Sequence, residues 1–507
     1  MWDGQELSPA VSNSACAVFQ NFNVRRSTPN LTATAESSLT VPVHRSSVAD
    51  GEHRRGKYLD MPAPVWHSNW SSMLFLSVIL CLANFWLASA ANNGLARTPP
   101  LGWNSWNRFA CDISEETILS AAKSLVTTGL KDVGYEYVVI DDCWHADTRD
   151  PETNAPLWNP VTFPSGIDNL SDQIHSLGLK FGIYSSAGIH TCANRFGSLG
   201  YEDIDAKTYA SWGVDYLKYD NCWNEGLSGN TTISYKRYEK MAHALNATGR
   251  PILYAMCNWG EDQSWTWAGE LANSWRMSGD IADLFTGYDP GCPCTSLENC
   301  TQFGYRCAVT RILDWAADIA PYSGPGGWGD LDMLEVGNGN MTKDEYITHF
   351  SMWALVKSPL MLGNDLANMT AQTLDIISNK AIISINQDPL GVAASRVAQM
   401  PLEEGDVQVW VGPLADEATV VAIVNTSPAN VTVTLPWSEI LPPQLLALER
   451  VVRIFDLWQR VDDKRWGQEL GPFTSLLSEA KLRPHETKVY RLEPQSTQDF
   501  AEFTVQS

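Results

Sequence analysis

Four segments of the sequence run from apolar or aromatic residues directly into aspartate. They are VVIDD (138–142), YLKYD (216–220), SWRMSGD (274–280) and GGWGDLD (326–332). A buried strand excludes a charge from its middle, but its C-terminal end can present one to a cleft. If these ends converge, they form an acidic pocket with several carboxylates close together. Such a pocket suits acid–base chemistry on a neutral substrate such as a sugar.

Two of these segments place a cation close to a carboxylate. Lys218 and Asp220 lie two residues apart on a predicted strand, so their side chains share a face. A neighbouring ammonium favours the ionised form of Asp220, which a nucleophile requires. Arg276 and Asp280 lie four residues apart around another strand end, and Asp280 is the candidate proton donor to a leaving oxygen. For either pair alone, a structural ion pair is the competing interpretation.

The other strand-end acids add acceptors for hydroxyl groups. Asp141 and Asp142 are adjacent, so they can accept hydrogen bonds from neighbouring hydroxyls at different angles, and Asp332 follows a glycine-rich turn. A divalent metal could also use these carboxylates. However, histidine and glutamate are nearly absent from the four segments, and the lysine and arginine would repel a cation. We therefore expect neither a metal nor a cofactor.

The elements that would position these residues follow a regular alternation. From about residue 96 to 390, eight strand-like segments are each followed by a helix or loop, which predicts an α/β fold, the (β/α)8 TIM barrel. The seventh strand is predicted at 319–322. Capping-box patterns at Asp112 with Glu115, and at Thr342 with Glu345, predict two helix starts. A doubly wound open sheet is less favoured, because no phosphate-binding glycine fingerprint follows the first strand.

Beyond residue 391 the pattern changes to short segments that alternate apolar and polar residues. These segments predict a C-terminal antiparallel β-sandwich. We therefore divide the chain into an unstructured extension or gene-model artefact (1–72), a signal peptide or membrane anchor (73–90), a catalytic barrel (91–390) and the β-sandwich (391–507).

The N-terminal region and the overall charge bear on where the protein works. Residues 73–90 are apolar and end in Ala88-Ser89-Ala90, the pattern of a signal-peptide cleavage site. Because 72 residues precede this segment, translation starts at Met73 or Met61, or the segment is a type II membrane anchor. We predict the signal peptide, with no stable membrane partner after cleavage. The net charge of −23 argues against nucleic acid as a partner.

Cysteines and glycosylation sequons support export. Nine cysteines follow residue 90, and this odd number implies one free thiol. The Asn-x-Ser/Thr sequons beyond residue 90 are at Asn169, Asn230, Asn246, Asn299, Asn340, Asn368, Asn425 and Asn430. Together these features predict a secreted, disulfide-bonded, N-glycosylated protein. The cluster of Cys292, Cys294, Cys300 and Cys307 predicts two disulfides rather than a zinc site, with the pairing open.

Six segments carry a resemblance to a known family. They are GLARTPPLGWNSWN (94–107), GYEYVVIDDCW, GVDYLKYDNC, SWRMSGDI, GPGGWGDLDML and SINQDPLG. In this order they resemble the motifs of glycoside hydrolase family 27 (clan D), most closely those of its secreted fungal α-galactosidases, the melibiases. The resemblance implies a retaining exo-glycosidase that removes terminal α-galactosyl residues from galacto-oligosaccharides, galactomannans or glycoconjugates through a covalent galactosyl-enzyme. It leaves the oligomeric state open.

The resemblance also implies roles for individual residues. Asp220 matches the nucleophile and Asp280 the acid/base. The implied substrate-binding residues are Trp103 at the pocket wall, Asp141 and Asp142 at the 6- and 4-hydroxyls, Lys218 at the 3- and 4-hydroxyls, Arg276 at the 2-hydroxyl, and Tyr184, Cys192, Cys222, Cys257, Trp259 and Asp332. The implied disulfides are Cys192–Cys222 beside the sugar and Cys111–Cys143. Cys257 becomes the free thiol, because Ala272 stands where animal members have its partner.

Three alternative functions remain to be weighed. An α-N-acetylgalactosaminidase of the same family needs small residues between Cys257 and Trp267, where Trp259, Trp265 and Trp267 are bulky. A non-catalytic sugar-binding protein would lack one of the two central carboxylates. A β-L-arabinopyranosidase would lack the partner of the 6-hydroxyl, which Asp141 supplies. We therefore favour the α-galactosidase.

Overall fold

The computed structural model describes residues 33–35, 93–286, 306–434, 452–463, 465–473 and 479–494. The predicted segment 73–90 and most of 1–72 lie outside these residues. No helix in the described ranges is long and apolar enough to cross a membrane. A short strand, β1 (Ala33–Ala35), pairs with a strand near the C-terminus, as described below.

The central element is a parallel sheet of eight strands that closes into a barrel. Its strands in chain order are β2 (Leu101–Asn104), β3 (Tyr137–Val139), β4 (Lys180–Ser186), β5 (Tyr216–Asp220), β6 (Leu253–Cys257), β7 (Ser274–Arg276), β10 (Trp328–Asp330) and β11 (Leu360–Leu362). Two further short strands, β8 (Asp280–Ile281) and β9 (Arg306–Cys307), pair with each other outside the barrel. Closure occurs just past β10, where Leu334 bridges to Leu362. The Leu334 N–H donates to the Met361 carbonyl at 2.7 Å. The TIM-barrel prediction is confirmed.

Helices cover the outside of the barrel. They are α1 (Trp106–Phe109), α2 (Glu115–Thr127), α3 (Ile167–Ser176), α4 (Glu202–Ser211), α5 (Thr231–Ala247), α6 (Val309–Ile319), α7 (Lys343–Leu355), α8 (Ala371–Ile377) and α9 (Lys380–Asn386), with 3-10 turns at 131–133, 261–266, 268–270 and 320–322. Nearly all barrel-strand residues are buried, because helices pack outside them and side chains fill the interior.

The predicted seventh strand at 319–322 is wrong. Residues 309–319 form α6, and residues 320–322 form a 3-10 turn that contains Pro321. The buried positions of α6 recur at helical spacing: Val309, Ile312, Leu313, Ala316 and Ile319. A proline in this place also lacks the N–H that a central strand needs. The seventh barrel strand is instead β10, within the GGWGDLD segment.

One predicted capping box is confirmed and one is wrong. At the start of α7, the Glu345 N–H donates to Thr342 Oγ1 at 3.3 Å, and the Thr342 N–H donates to Glu345 Oε2 at 2.6 Å. At α2 the N-cap is Ser114, not Asp112. The Glu115 carboxylate instead accepts a hydrogen bond from the Ser165 N–H at 3.0 Å.

The C-terminal region is an antiparallel β-sandwich, as predicted. Its strands are β12 (Ser395–Pro401), β13 (Asp406–Pro413), β14 (Thr419–Asn425), β15 (Val431–Thr434), β16 (Val452–Asp462), β17 (Arg465–Phe473), β18 (Glu479–Leu482) and β19 (Thr487–Pro494). A six-stranded sheet in the order β12-β13-β14-β19-β16-β17 faces a three-stranded sheet, β1-β15-β18. Residues such as Val409 and Ile423 of the first sheet, and Val433 and Leu482 of the second, share one core.

Helix α7 joins the barrel to the sandwich. The Thr348 hydroxyl donates to the His485 carbonyl at 2.7 Å, and Ser351 accepts from the Trp458 indole at 2.8 Å. None of the residues that line the cavity described next comes from the described part of the sandwich.

Candidate active site

The four aspartate segments meet at one cavity of about 340 Å³, at the C-terminal ends of the barrel strands. It is lined by Trp106, Asn107, Ala110, Asp141, Asp142, Tyr184, Cys192, Lys218, Asp220, Trp259, Arg276, Asp280, Ile281, Arg306, Asp332 and Met333. Loops that follow the strands of a parallel barrel converge at this end. The convergence expected from the sequence is therefore present.

Asp220, the last residue of β5, is buried at the centre of the cavity wall. The Tyr184 hydroxyl donates to its Oδ2 at 2.9 Å, and the Asn221 N–H donates to its Oδ1 at 2.8 Å. Burial raises the pKa of Asp220 to about 7; Lys218 opposes this rise, and the carboxylate of Asp280 adds to it. The ammonium of Lys218 lowers the pKa of Asp220, in the predicted direction, but the cost of burying the charge is larger.

Asp280 is the more open of the two central carboxylates. It begins β8, and 43% of its side-chain surface is exposed. Arg276 Nη2 lies 3.1 Å from Asp280 Oδ1 and 2.8 Å from Asp332 Oδ2, so one guanidinium bridges both acids. This guanidinium is buried, and it holds Asp280 at the edge of the cavity, where a leaving group can reach it.

Asp332 is held by backbone groups in an uncommon conformation. Its φ of 87° lies in the region that favours glycine, which costs about 1–3 kcal/mol for other residues. The N–H groups of Ile281 and Met333 donate to its two carboxylate oxygens, each at 2.8 Å. Burial raises the pKa of Asp332 to about 6, against the opposing effect of Arg276. Asp332 therefore fixes both Arg276 and the strand that carries Asp280.

Asp141 and Asp142 form the opposite wall. Asp141 Oδ2 accepts hydrogen bonds from Lys218 Nζ and from Asn104 Nδ2, both at 2.7 Å. Asp142 accepts from the backbone N–H of Ala193 at 2.8 Å and from that of Cys143 at 2.7 Å. Burial raises the pKa of Asp142 to about 6. The ammonium of Lys218 is thus paired with Asp141 rather than with Asp220.

Disulfides and an aromatic ring complete the wall. Cys192–Cys222 and Cys111–Cys143 are both disulfide-bonded, as the resemblance implied. Cys257 is a free, buried thiol, and Arg276 Nη1 lies 3.5 Å from its sulfur. The Cys192–Cys222 bridge, Cys257 and Trp259 form one small apolar cluster beside Asp220. Cys307 is also disulfide-bonded, while the other three cysteines of its cluster lie outside the described residues.

Trp103 does not line the cavity, which corrects the prediction. Its side chain is fully buried, and its indole N–H donates to the Asn364 carbonyl at 2.8 Å. Trp106, three residues further along the GWNSWN motif, is the cavity-lining tryptophan. The reason is position: Trp103 lies within β2, whereas Trp106 begins α1 beyond the end of that strand.

Of the three tryptophans expected near the 2-position of a sugar, Trp259 alone lines the cavity among the described residues. Trp267 is buried with its ring 5.8 Å from that of Tyr235, and its indole N–H donates to the Asp262 carbonyl at 3.0 Å. Trp265 packs against the hydrophobic core. These two tryptophans hold the 257–267 loop in place.

Six lining residues were not predicted: Trp106, Asn107, Ala110, Ile281, Arg306 and Met333. Trp106, Asn107, Ile281 and Met333 lie within the recognised motifs and Ala110 lies shortly after one, so the motifs were the available signal. Arg306 adjoins Cys307 of the cysteine cluster and is not part of any of the motifs. Of the predicted residues, all but Trp103, Cys222 and Cys257 line the cavity. Those three lie in or behind its wall.

The raised carboxyl pKa values give a testable pH dependence of stability. A folded protein with raised acid pKa values holds protons that the unfolded chain releases, so this contribution to stability is fully present below about pH 4 and is lost as the pH rises from there to about 7. Asp220→Asn removes the largest such contribution at the cavity centre. We expect this variant to gain on the order of 1–4 kcal/mol in free energy of unfolding at pH 8 and little at pH 4. Urea denaturation at both pH values measures this.

The matched control is Asp318→Asn, which changes an exposed carboxylate on α6. The control should match the wild type at both pH values. A gain for Asp220→Asn that is equal at pH 4 and pH 8 would contradict the assignment of a raised pKa to this residue.

Comparisons with known proteins agree with this geometry. Residues 98–388 match the family model described as alpha galactosidase A, and residues 404–492 match the alpha galactosidase C-terminal beta sandwich domain. The chain is 45% identical to an α-galactosidase of Lachancea cidri over 76% of this chain and 84% of the relative. It is 47% identical to α-galactosidase mel1 of Schizosaccharomyces pombe, over 72% of this chain and 84% of that protein.

Solved structures of α-galactosidases are also similar to this chain. The crystal structure of α-galactosidase I from Mortierella vinacea is similar with a TM-score of 0.73 and 47% identity, covering 79% of this chain and 98% of that one. The Saccharomyces cerevisiae α-galactosidase solved with raffinose has a TM-score of 0.77 and 39% identity, covering 80% of this chain and all of the other. The chain belongs to glycoside hydrolase family 27, the α-galactosidase family that its motifs resemble.

Proposed function

We propose that the protein is an α-galactosidase, a retaining exo-glycosidase that hydrolyses terminal, non-reducing α-D-galactosyl residues of galacto-oligosaccharides, galactomannans or glycoconjugates. The observation that carries this proposal is the cavity itself. Its two central carboxylates, Asp220 and Asp280, line the same cavity as the fixed acceptors Asp141 and Asp142 and the donor Lys218. The curated relatives that align with most of this chain are α-galactosidases.

The proposed reaction proceeds by double displacement. Asp220 attacks the anomeric carbon while Asp280 gives its proton to the glycosidic oxygen, so the leaving alcohol departs neutral and a β-linked galactosyl ester forms. Asp280 then takes a proton from the incoming water, whose oxygen displaces Asp220. The product is α-galactose, and both carboxyl groups return to their starting states.

The environment of each carboxyl group supports its role. The donors Tyr184 and Asn221 are aimed at the two oxygens of Asp220 and favour its charged form once the substrate is bound. Asp280 accepts a hydrogen bond from Arg276 and has an open side, so it can reach a leaving oxygen. The carboxylate of Asp280 also contributes to the raised pKa of Asp220.

Sugar recognition would follow from the opposite wall. Asp141 and Asp142 present acceptors for the 6- and 4-hydroxyls, Lys218 a donor for the 3- and 4-hydroxyls, and Arg276 a donor for the 2-hydroxyl. Trp259 and the Cys192–Cys222 disulfide provide apolar surface for the C–H face of the ring. An α-N-acetylgalactosaminidase would need room for an acetamido group in this region.

Release of nitrophenol from p-nitrophenyl α-galactoside and from p-nitrophenyl α-N-acetylgalactosaminide at mildly acidic pH tests the assignment. We expect kcat/KM for the galactoside to exceed that for the acetamido sugar by about 10²-fold or more, because the larger 2-substituent must displace packed side chains. A preference for the acetamido sugar would make the protein an α-N-acetylgalactosaminidase. Turnover of neither substrate would contradict the hydrolase proposal.

Export and glycosylation remain part of the proposal, with a signal peptide at 73–90 preceding the barrel (91–390) and sandwich (391–507). The two disulfides at the site fit an oxidising compartment. Sequon asparagines that are exposed and so open to modification are Asn169, Asn230, Asn246, Asn340, Asn368 and Asn430. Asn425 is fully buried, and its amide donates to the Ala429 and Arg483 carbonyls, so we exclude it as a glycan site.

A further inference from the structure

We propose that Asn107 and Arg306 form a binding site for the sugar unit that the enzyme releases, and that Glu335 is a positioning residue for Asn107. This inference rests on the proposed function, because it concerns the leaving-group side of the same cavity. It gives a role to two polar cavity-lining residues, Asn107 and Arg306, that recognition of galactose does not use.

The position of the proton donor defines the two sides of the cavity. Asp280 protonates the oxygen that links galactose to its leaving group, so this oxygen lies next to Asp280 during the reaction. The galactose-holding groups Asp141, Asp142 and Lys218 occupy the wall that β3 and β5 supply. Lining residues adjacent to Asp280 but outside that wall therefore face the leaving group.

Arg306 is adjacent to Asp280 through strand pairing. β8 and β9 form a parallel two-stranded ribbon in which Asp280 is the register partner of Arg306. Paired strands lie about 4.8 Å apart, so these two residues are direct neighbours. Arg306 is exposed, lines the cavity, and has no salt-bridge partner among the residues that the structure describes. Its guanidinium donors are therefore available to a ligand beside the scissile oxygen.

Asn107, on α1, is oriented by a buried glutamate. Its Nδ2 donates to Glu335 Oε1 at 2.7 Å, and Glu335 is only 3% exposed. The second oxygen of Glu335 accepts from Asn338, and the Glu335 backbone N–H donates to His349 Nε2 at 3.0 Å. Glu335 is thus anchored on both its side chain and its backbone.

This anchoring decides which atom Asn107 offers to the cavity. The amide nitrogen of Asn107 faces Glu335 in the structure, where Glu335 Oε1 accepts from Asn107 Nδ2 and Glu335 Oε2 accepts from Asn338. The carbonyl oxygen of the same planar amide is left for a ligand. The leaving-group side thus presents one acceptor, from Asn107, and a fan of donors, from Arg306.

Asn107 donates to Glu335, and the charge of Arg306 acts on the same carboxyl group, so the two residues lie near one another at the cavity. Together the acceptor and the donor fan match the hydroxyls of a second sugar. One hydroxyl of the sugar can donate to Asn107 while a neighbouring hydroxyl accepts from Arg306. The bond to the charged Arg306 contributes more binding free energy than a bond between neutral groups. An apolar leaving group makes neither bond. The site therefore selects α-galactosides of hydroxylated sugars over those of simple alcohols or lipids.

The test compares melibiose with α-galactosyl fluoride, because fluoride makes no contact with a leaving-group site. For Asn107→Ala and for Arg306→Ala we expect the ratio of kcat/KM for melibiose to that for the fluoride to fall about tenfold. Glu335→Gln should lower the ratio in the same direction, because its amide can present a donor to Asn107. The matched control is Arg311→Ala, an exposed arginine on α6, whose ratio should equal that of the wild type.

The double variant Asn107→Ala/Glu335→Gln separates positioning from structural damage. If Glu335 acts through Asn107, the double variant has the ratio of Asn107→Ala alone, whereas independent effects multiply and overturn the positioning role. Ratios within about twofold of the wild type for both Asn107→Ala and Arg306→Ala would overturn the binding site. Arg306 is exposed, so its truncation keeps the test valid even if Asn107→Ala fails to fold. Failure of the wild type to hydrolyse the fluoride would instead contradict the proposed function.

Discussion

Asp220→Asn is expected to lower kcat/KM for p-nitrophenyl α-galactoside on the order of 10⁴-fold while leaving the fold intact. The amide keeps the shape of the side chain but cannot form the galactosyl ester. The Tyr184 hydroxyl can still donate to an amide oxygen, so local geometry should persist. Initial-rate kinetics with circular dichroism of the same sample measure both effects. The control Asp203→Asn, an exposed acid on α4, should keep full activity.

A smaller substitution at the same position tests the direction of attack. Asp220→Ala opens space on the face from which the carboxylate approaches, so azide can attack the anomeric carbon there. We expect added azide to restore nitrophenol release and to give β-galactosyl azide, with nitrophenolate as the leaving group. An α-configured azide, or residual activity of Asp220→Asn above about one percent of the wild type, would contradict the nucleophile assignment.

Asp280→Asn is expected to have an effect that depends on the leaving group. General acid catalysis contributes about 10²–10⁴-fold where the departing oxygen needs a proton. We therefore expect kcat/KM for melibiose to fall on the order of 10³-fold, and kcat/KM for α-galactosyl fluoride to fall about tenfold or less. Because kcat/KM for these substrates reports formation of the galactosyl-enzyme, the later base role of Asp280 does not enter the comparison. Equal losses on both substrates would contradict the acid assignment.

Much of the fold was predictable because it depends on repeated patterns. Apolar runs that end in aspartate could be placed at the C-terminal ends of barrel strands, and the parallel topology then brought them together. The seventh strand was misplaced to 319–322, because a short apolar run fits a buried helix as well as a strand. The helical recurrence of Ile312, Ala316 and Ile319 was the signal that separated the two.

The site was less predictable where one position or one partner decides the outcome. Trp103 and Trp106 belong to the same motif, and only the end of β2 determines which of them reaches the cavity. Lys218 shares a strand face with Asp220, yet its hydrogen bond goes to Asp141, just beyond the end of β3. Sequence spacing gives the face of a strand but not the distance across the barrel.

Glu335 illustrates that sequence spacing also does not predict the partners in a buried polar network. It follows the last aspartate segment without a recognisable motif, yet it is buried between Asn107 and Asn338, and burial raises its pKa to about 8. Its partner Asn107 lies more than two hundred residues away in the chain. Contacts of this kind arise from the closure of the barrel, which local patterns do not encode.

The most direct test of the account is to identify the residue that carries the covalent intermediate. A galactosyl fluoride with a second fluorine next to the anomeric carbon slows hydrolysis of the galactosyl ester and allows it to accumulate. The account predicts that peptic digestion and mass spectrometry find the added fluorogalactosyl mass on the peptide containing YLKYD, at Asp220. A label on Asp280 or another residue, or full turnover without any labelled peptide, would contradict it.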